Sequence, residues 1–133
     1  MSYVSEKANV YNSAIIGKNV SIGAFAEIGH EVIIGDNVKI GCGVFIPENV
    51  VIEDDVFIGP HAVFTNDKNP PSHGKWRDEE PTIVQKGVSI GANSTILPNL
   101  TLGKNCKIGA GSVVTKDVKP NTLVYGVPAR ESK

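Results

Sequence analysis

Cysteine is scarce in this 133-residue chain: Cys42 and Cys106 are the only two, and neither has a neighbour at CxxC spacing. That argues against a disulfide scaffold and a zinc ribbon, both of which need clustered thiols. Aromatic residues make up only 6%, with a single Trp. An excess of one charge is missing too, since 13 Lys and Arg face 14 Asp and Glu for a net charge of −1. No basic stripe able to follow a phosphate backbone fits that balance, so nucleic acid is not expected as a partner. No apolar run approaches the roughly 18 residues of a bilayer span, so no membrane role is expected. The start, Met-Ser-Tyr-Val-Ser-Glu-Lys, lacks a signal peptide's charged-then-apolar layout. Without secretion, the sequons at Asn93 and Asn99 carry little meaning. The expectation is one soluble, cytoplasmic domain over residues 1–133 with a single core.

What is present is a period. Val4, Val10, Ile16, Ile22, Ile28, Ile34, Ile40, Ile46, Ile52, Ile58 and Phe64 follow one another every six residues, and the beat resumes at Val84, Ile90, Ile96, Leu102, Ile108 and Val114. Against a 41% apolar background, chance would produce such a column about once in 10⁷. Gly follows the apolar residue in nine of the 17 cases, and Asn, Asp or Gly stands three places after it in 12. Two places before it sits a small or β-branched residue such as Ala14, Val20, Val38 or Ser94. Large aliphatic residues fill an interior, β-branched ones suit short strands, and Asn, Asp and Gly tolerate the left-handed backbone of a sharp corner. Helices repeat at 3.6 and ordinary strands at 2, so neither explains a six.

The object that does is an all-β parallel β-helix of triangular section, with one hexad per side and three hexads, 18 residues, per coil. Seventeen hexads give about 5.7 coils, a prism ~27 Å tall at a strand spacing of ~4.8 Å. The I-G-x-N-V-x pattern over residues 2–117 resembles the hexapeptide-repeat acyltransferases. That resemblance implies a left-handed winding and a homotrimer with active sites at subunit interfaces.

Between Phe64 and Val84 lie 20 residues instead of six, so 14 are extruded within 65–82 (TNDKNPPSHGKWRDEEPT). Long insertions are cheap at a surface. Yet Trp76 beside Arg77 and several acids has the composition of a recognition surface, and long unstructured loops are usually functional. Phe64-Thr65-Asn66-Asp67, Pro70 and Thr82-Ile83-Val84 resemble the N-acetyltransferases of nucleotide-linked 3-amino sugars. Galactoside and maltose O-acetyltransferases are similar nearby, but they offer a His-Pro where this chain reads Asn69-Pro70. A hydroxyl needs a base to become nucleophilic, whereas an amine need only be neutral, so the missing His points to an amine acceptor.

His61, in Gly59-Pro60-His61-Ala62, holds a corner position. It is either a residue tolerated in that backbone or a proton acceptor for the substrate ammonium. Asn66 and Asp67 are either a turn or the hydrogen-bonding groups for the sugar, with Asp67 also attracting the ammonium. His73, Trp76 and Arg77 are further candidates for substrate contact, while His30 reads as a solvated surface residue. The three histidines do not converge, so no metal is expected.

The resemblance further implies that acetyl-CoA lies along the C-terminal coils, its pantetheine arm held by backbone amides where Gly91, Ala92, Gly109, Ala110 and Gly111 leave room. The coil itself requires such small residues as well. Lys116 and Arg130 are the cations for the coenzyme phosphates, and Gly126-Val127-Pro128-Ala129-Arg130 resembles the family's terminal G-x-P-A-[RK]. Residues 118–133 form a C-terminal extension. The implied activity is acetyl-CoA-dependent N-acetylation of a dTDP- or UDP-linked amino sugar for surface polysaccharide such as lipopolysaccharide. The alternatives are sugar O-acetylation and an inactive β-helix scaffold.

Overall fold

The structure is a computed structural model and describes residues 2–71 and 80–132. Its 19 strands are two or three residues long, and the first 17 each end on one of the 17 beat residues, from Tyr3–Val4 to Val113–Val114. Every third strand pairs in parallel, which sorts them into sheets of eight, six and five strands, the three sides of a left-handed β-helix. The register is 18 residues per coil, as in Tyr3↔Ser21, Ser21↔Lys39 and Lys39↔Phe57. It holds across the extruded segment, where Ile83 pairs with Val51 and Val63 with Thr95.

The interior is the beat column. Each member from Ile22 to Val114 is at most 3% exposed. At roughly 1.5–3 kcal/mol for each buried aliphatic side chain, this column is the main source of stability. The residues two places earlier line the same interior near the corners: Val20, Ala26, Val38, Ser94, Cys106 and Ser112 are all buried. Burial pushes the Cys106 thiol up to about 11, so it stays protonated and inert at neutral pH.

The corner column behaves as its chemistry requires. Ten of its 12 Asn, Asp and Gly residues have positive φ, Asn19 at 59° and Asp55 at 61° among them. So do three residues of less suitable type: Phe25 (63°), Glu31 (58°) and His61 (61°). Neither Asp67, where the chain leaves the coil, nor Asp117, at its last turn, takes this conformation. Beyond Val114 the beat slips: Val118 bridges Leu102, Leu123–Tyr125 joins the first sheet beside Lys107–Ile108, and Arg130–Glu131 turns back antiparallel to it. No helix among the described residues is long and apolar enough to cross a membrane.

Candidate functional site

Three edges join the three sheets, and His61, Asn66, Asp67 and the small residues from Gly91 to Gly111 fall on two of them. His61 sits on the first edge, between the first and second sheets. Its N–H donates to Cys42 O at 2.8 Å, Asn93 N–H to Pro60 O at 3.0 Å, and Gly111 N–H to Ala92 O at 2.8 Å, so the edge is a backbone ladder. The imidazole is exposed and leans over Gly43, where a Cβ would collide with Nδ1. Gly91, Ala92, Gly109, Ala110 and Gly111 continue up the same edge. Coil stacking alone requires Gly109, whose Cβ would lie 2.8 Å from that of Tyr125, whereas a Cβ on Gly111 would meet nothing within 4 Å. Backbone at Gly111 is therefore open to close approach.

Asn66 and Asp67 sit on the second edge, five residues further on, at most ~17 Å away along the chain. Here the extruded segment departs and returns. The departure is fixed by Thr65, whose N–H and hydroxyl both donate to Ile96 O at 3.0 Å. Asp67 starts a turn by accepting from Asn69 N–H at 3.1 Å through Oδ1. The return is clamped by the corners on either side of the lost one. Asn49 Nδ2 donates to Glu80 O at 3.3 Å, Asn99 Nδ2 donates to the same carbonyl, and Asn99 N–H donates to Thr82 Oγ1 at 2.9 Å.

At the root of this excursion lies a cavity of about 320 Å³, lined by Glu31, Ile33, Glu48, Asn49, Val50, Val51, Thr65, Asn66, Thr82, Pro98 and Asn99. Asn66 thus opens on a cavity. Sequence reasoning missed Glu31, Glu48 and Asn99, which come from coils above and below it. His30 is exposed on this edge, with its ring edge-on to Tyr11 at 4.2 Å and Nδ1 3.5 Å from Ser13 Oγ. His73, Trp76 and Arg77 lie outside the described residues.

A second cavity, about 380 Å³, occupies the C-terminal end and brings Lys116 and Arg130 together. Lys119 and Thr122 line it as well, along with Asp117 and Glu131. Three cations around one cavity suit a multiply charged phosphate ligand.

Comparison with known proteins bears on the family and the fold. The profile of the family described as bacterial transferase hexapeptide (six repeats) matches residues 13–47, 31–66 and 81–116. A dTDP-3-amino-3,6-dideoxy-alpha-D-galactopyranose 3-N-acetyltransferase from Aneurinibacillus thermoaerophilus is 55% identical over 49 residues, 37% of this chain and 26% of that protein. Galactoside O-acetyltransferase from Escherichia coli is 48% identical over 50 residues, 38% of this chain and 25% of that one. The matched stretch therefore spans about a quarter of these relatives' length. Among solved structures, a variant of AntD, an N-acyltransferase from Bacillus cereus in complex with dTDP-4-amino-4,6-dideoxyglucose and coenzyme A, superposes with a TM-score of 0.85. It is 26% identical, and the match covers 99% of this chain and 79% of that one.

Proposed function

The chain belongs to the bacterial transferase hexapeptide family, and from that premise we propose that it is an acetyl-CoA-dependent N-acetyltransferase acting on a nucleotide-linked amino sugar. The observation that carries the reading is the cavity at the root of the extruded segment, lined by Asn66 together with the polar side chains of Glu31, Thr65, Thr82 and Asn99. With Asn69 where hydroxyl-modifying relatives offer His, an acceptor that is already nucleophilic when neutral fits best. The similarity to the dTDP-3-amino sugar enzyme and to AntD supports the same acceptor class. A dTDP- or UDP-linked deoxyhexose is the substrate this favours, on a cytoplasmic route to surface polysaccharide.

In this reading the neutral amine attacks the thioester carbonyl, a backbone N–H steadies the oxyanion, and the C–S bond breaks to release the coenzyme thiolate. Asn66 and Asp67 hold the sugar, while His73, Trp76 and Arg77 of the extruded segment engage the nucleotide. Gly91, Ala92, Gly109, Ala110 and Gly111 admit the pantetheine arm against the first edge, and Lys116 and Arg130 take the coenzyme phosphates. His61, exposed on that same edge, receives the proton the amine sheds.

Because His61 and Asn66 lie on different edges, the site is completed between copies in a homotrimer. The third sheet supports such packing, since its outward positions form an apolar ladder, Ile15↔Ile33↔Val51↔Ile83, with Ile15 62% exposed. Asparagine suits the φ of 61° at position 61. His61→Asn is therefore expected to keep the thermal midpoint while lowering kcat on the order of 10²-fold. A full-rate variant would reduce His61 to a corner residue. The reaction class itself is tested by mass spectrometry and NMR of the product from acetyl-CoA and a nucleotide-linked amino sugar. An amide supports the proposal, an ester on a hydroxyl turns it to O-acetylation, and no product with no coenzyme binding leaves the scaffold.

A further inference from the structure

We infer that Gly43 is a positioning residue for His61: by lacking a side chain it seats the imidazole against the first edge and so sets where the amine's proton is received. This rests on the proposed function, in which His61 takes that proton. Gly43 and His61 are successive corners of the first edge, one coil apart, and the ring lies over the glycine. A Cβ on Gly43 would stand 2.7 Å from Cε1, with Nδ1 nearer still, against the ~3.5–4.0 Å of a relaxed contact. The backbone holds the coils at this spacing, since Gly43 N–H donates to Ala24 O at 2.9 Å and His61 N–H to Cys42 O at 2.8 Å. Nδ1 is thus turned to the backbone, and Nε2 is the ring nitrogen farther from it. Proton acceptance falls to Nε2.

The turn itself does not ask for glycine. Gly43 has a φ of 70°, and Asn49 makes its corner at the same 70° with a side chain in place. Asparagines also stack from coil to coil, as where Asn19 Nδ2 donates to Asn37 Oδ1 at 2.8 Å on the third edge. On the first edge, Asn93 holds the corner above His61 at a φ of 61°. Asparagine at position 43 would therefore suit the backbone, and what it would displace is the imidazole. Gly87, at a φ of 77° on the third edge, is the matching case away from the candidate residues, for a Cβ there would collide with the Asn105 side-chain amide. His61 is exposed, so its ring can turn to another rotamer at little cost. Filling the seat should then spare the fold and move the ring. The consequence is kinetic, because a reacting group misplaced by about 1 Å can lose on the order of 10²-fold in rate.

The test sets Gly43→Asn and Gly43→Ala beside His61→Asn, the double variant of Gly43→Asn with His61→Asn, and Gly87→Asn as the control. Each is melted and assayed for acetyl transfer to a nucleotide-linked amino sugar. Gly43→Asn should melt no lower than the original protein, because Asn suits the backbone. Its kcat should fall on the order of 10²-fold, as in His61→Asn, with KM for both substrates within about twofold. The double variant should lose no more than about twofold beyond His61→Asn alone, since changes that act through one group do not add. The His61 ring resonances, identified by their loss in His61→Asn, should shift in both Gly43 variants. They should stay in place in Gly87→Asn, which keeps the full rate. Gly43→Ala fills the same seat with one methyl and carries the test should the larger amide disturb the coil. Full rate in the Gly43 variants beside a slow His61→Asn, or additive losses in the double variant, overturns the positioning role and leaves the proposed function standing. Full rate in His61→Asn removes the proton acceptor from the proposed function and the positioning role with it.

Discussion

Valine at position 91 abolishes the folded protein, and alanine there lowers the thermal midpoint by roughly 10 °C. Gly91 follows Ile90 on the first sheet, and the next coil passes directly over it. A Cβ would stand 2.5 Å from Ala110 N, 2.7 Å from Ala110 Cα and 2.9 Å from Gly109 C. These are backbone atoms of a neighbour held by Gly91 N–H to Ile108 O at 2.8 Å, so no rotamer change can relieve the clash. The coils must separate, and separation breaks the interior ladder on both sides. For one methyl, overpacking costs about 3 kcal/mol, and each kcal/mol is worth about 4 °C in a chain this long. The branched side chain of valine needs a gap that the stack cannot open. Gly111→Ala is the control: its φ of 71° makes alanine strained, but no atom lies within 4 Å of the new Cβ, so it loses only about 1–2 kcal/mol. Thermal melts followed by circular dichroism compare the three. Equal melting of Gly91→Ala and the original protein would mean that strand spacing is not what glycine protects there.

Removing residues 68–81 is expected to leave the coil folded and to reduce acetyl transfer by on the order of 10³-fold or more, the scale lost when a substrate is no longer positioned. The deletion takes out 14 residues and sets Val84 six places after Phe64, restoring the beat. Both stumps are already locked into the stack. Thr65 N–H donates to Ile96 O at 3.0 Å on one side, and Thr82 N–H to Asn49 O at 3.0 Å on the other. Asn49 and Asn99 lose their shared acceptor, Glu80 O, at about 1 kcal/mol per bond. A shorter closed loop offsets part of that loss. A thermal midpoint within about 5 °C of the original is therefore expected. A deletion that still transfers acetyl groups at the full rate would make the segment a tolerated insertion, and one that unfolds would make it structural.

The strand plan was legible because one rule repeats. A side chain every six residues meets its own kind 18 residues on, and all 17 beat residues end a strand. The corners were legible as a column and less so one by one. Phe25, Glu31 and His61 make the turn although their types do not favour it, since the stacked neighbours impose the backbone. Asp67 has a suitable side chain yet does not take the left-handed corner conformation, because the chain is leaving the coil and its carboxylate accepts from Asn69 N–H instead. The slip after Val114 was hidden. Val124, only 8% exposed, pairs with Ile108 and so enters the core two places earlier than the beat would put it, as Val118 does beside Leu102.

The site was half legible. Asn66, Lys116 and Arg130, singled out by their motifs, each line a cavity. Glu31, Glu48, Asn99 and Lys119 were missed because a cavity between coils gathers residues far apart in sequence. One signal was available: Glu31, Asn49 and Asn99 hold the same corner of stacked coils, so the 18-residue register, with the 14 extruded residues discounted, puts them on one edge.

The most direct measurement is the rate of free thiol release from acetyl-CoA, with nucleotide-linked 3-amino and 4-amino sugars set against their hydroxyl parents and a blank without acceptor. The expected result is release that depends on an amino sugar and stays at the blank with the hydroxyl parents. Release driven by hydroxyl sugars alone would contradict an amine acceptor, and would return attention to His61 as the base that a hydroxyl requires.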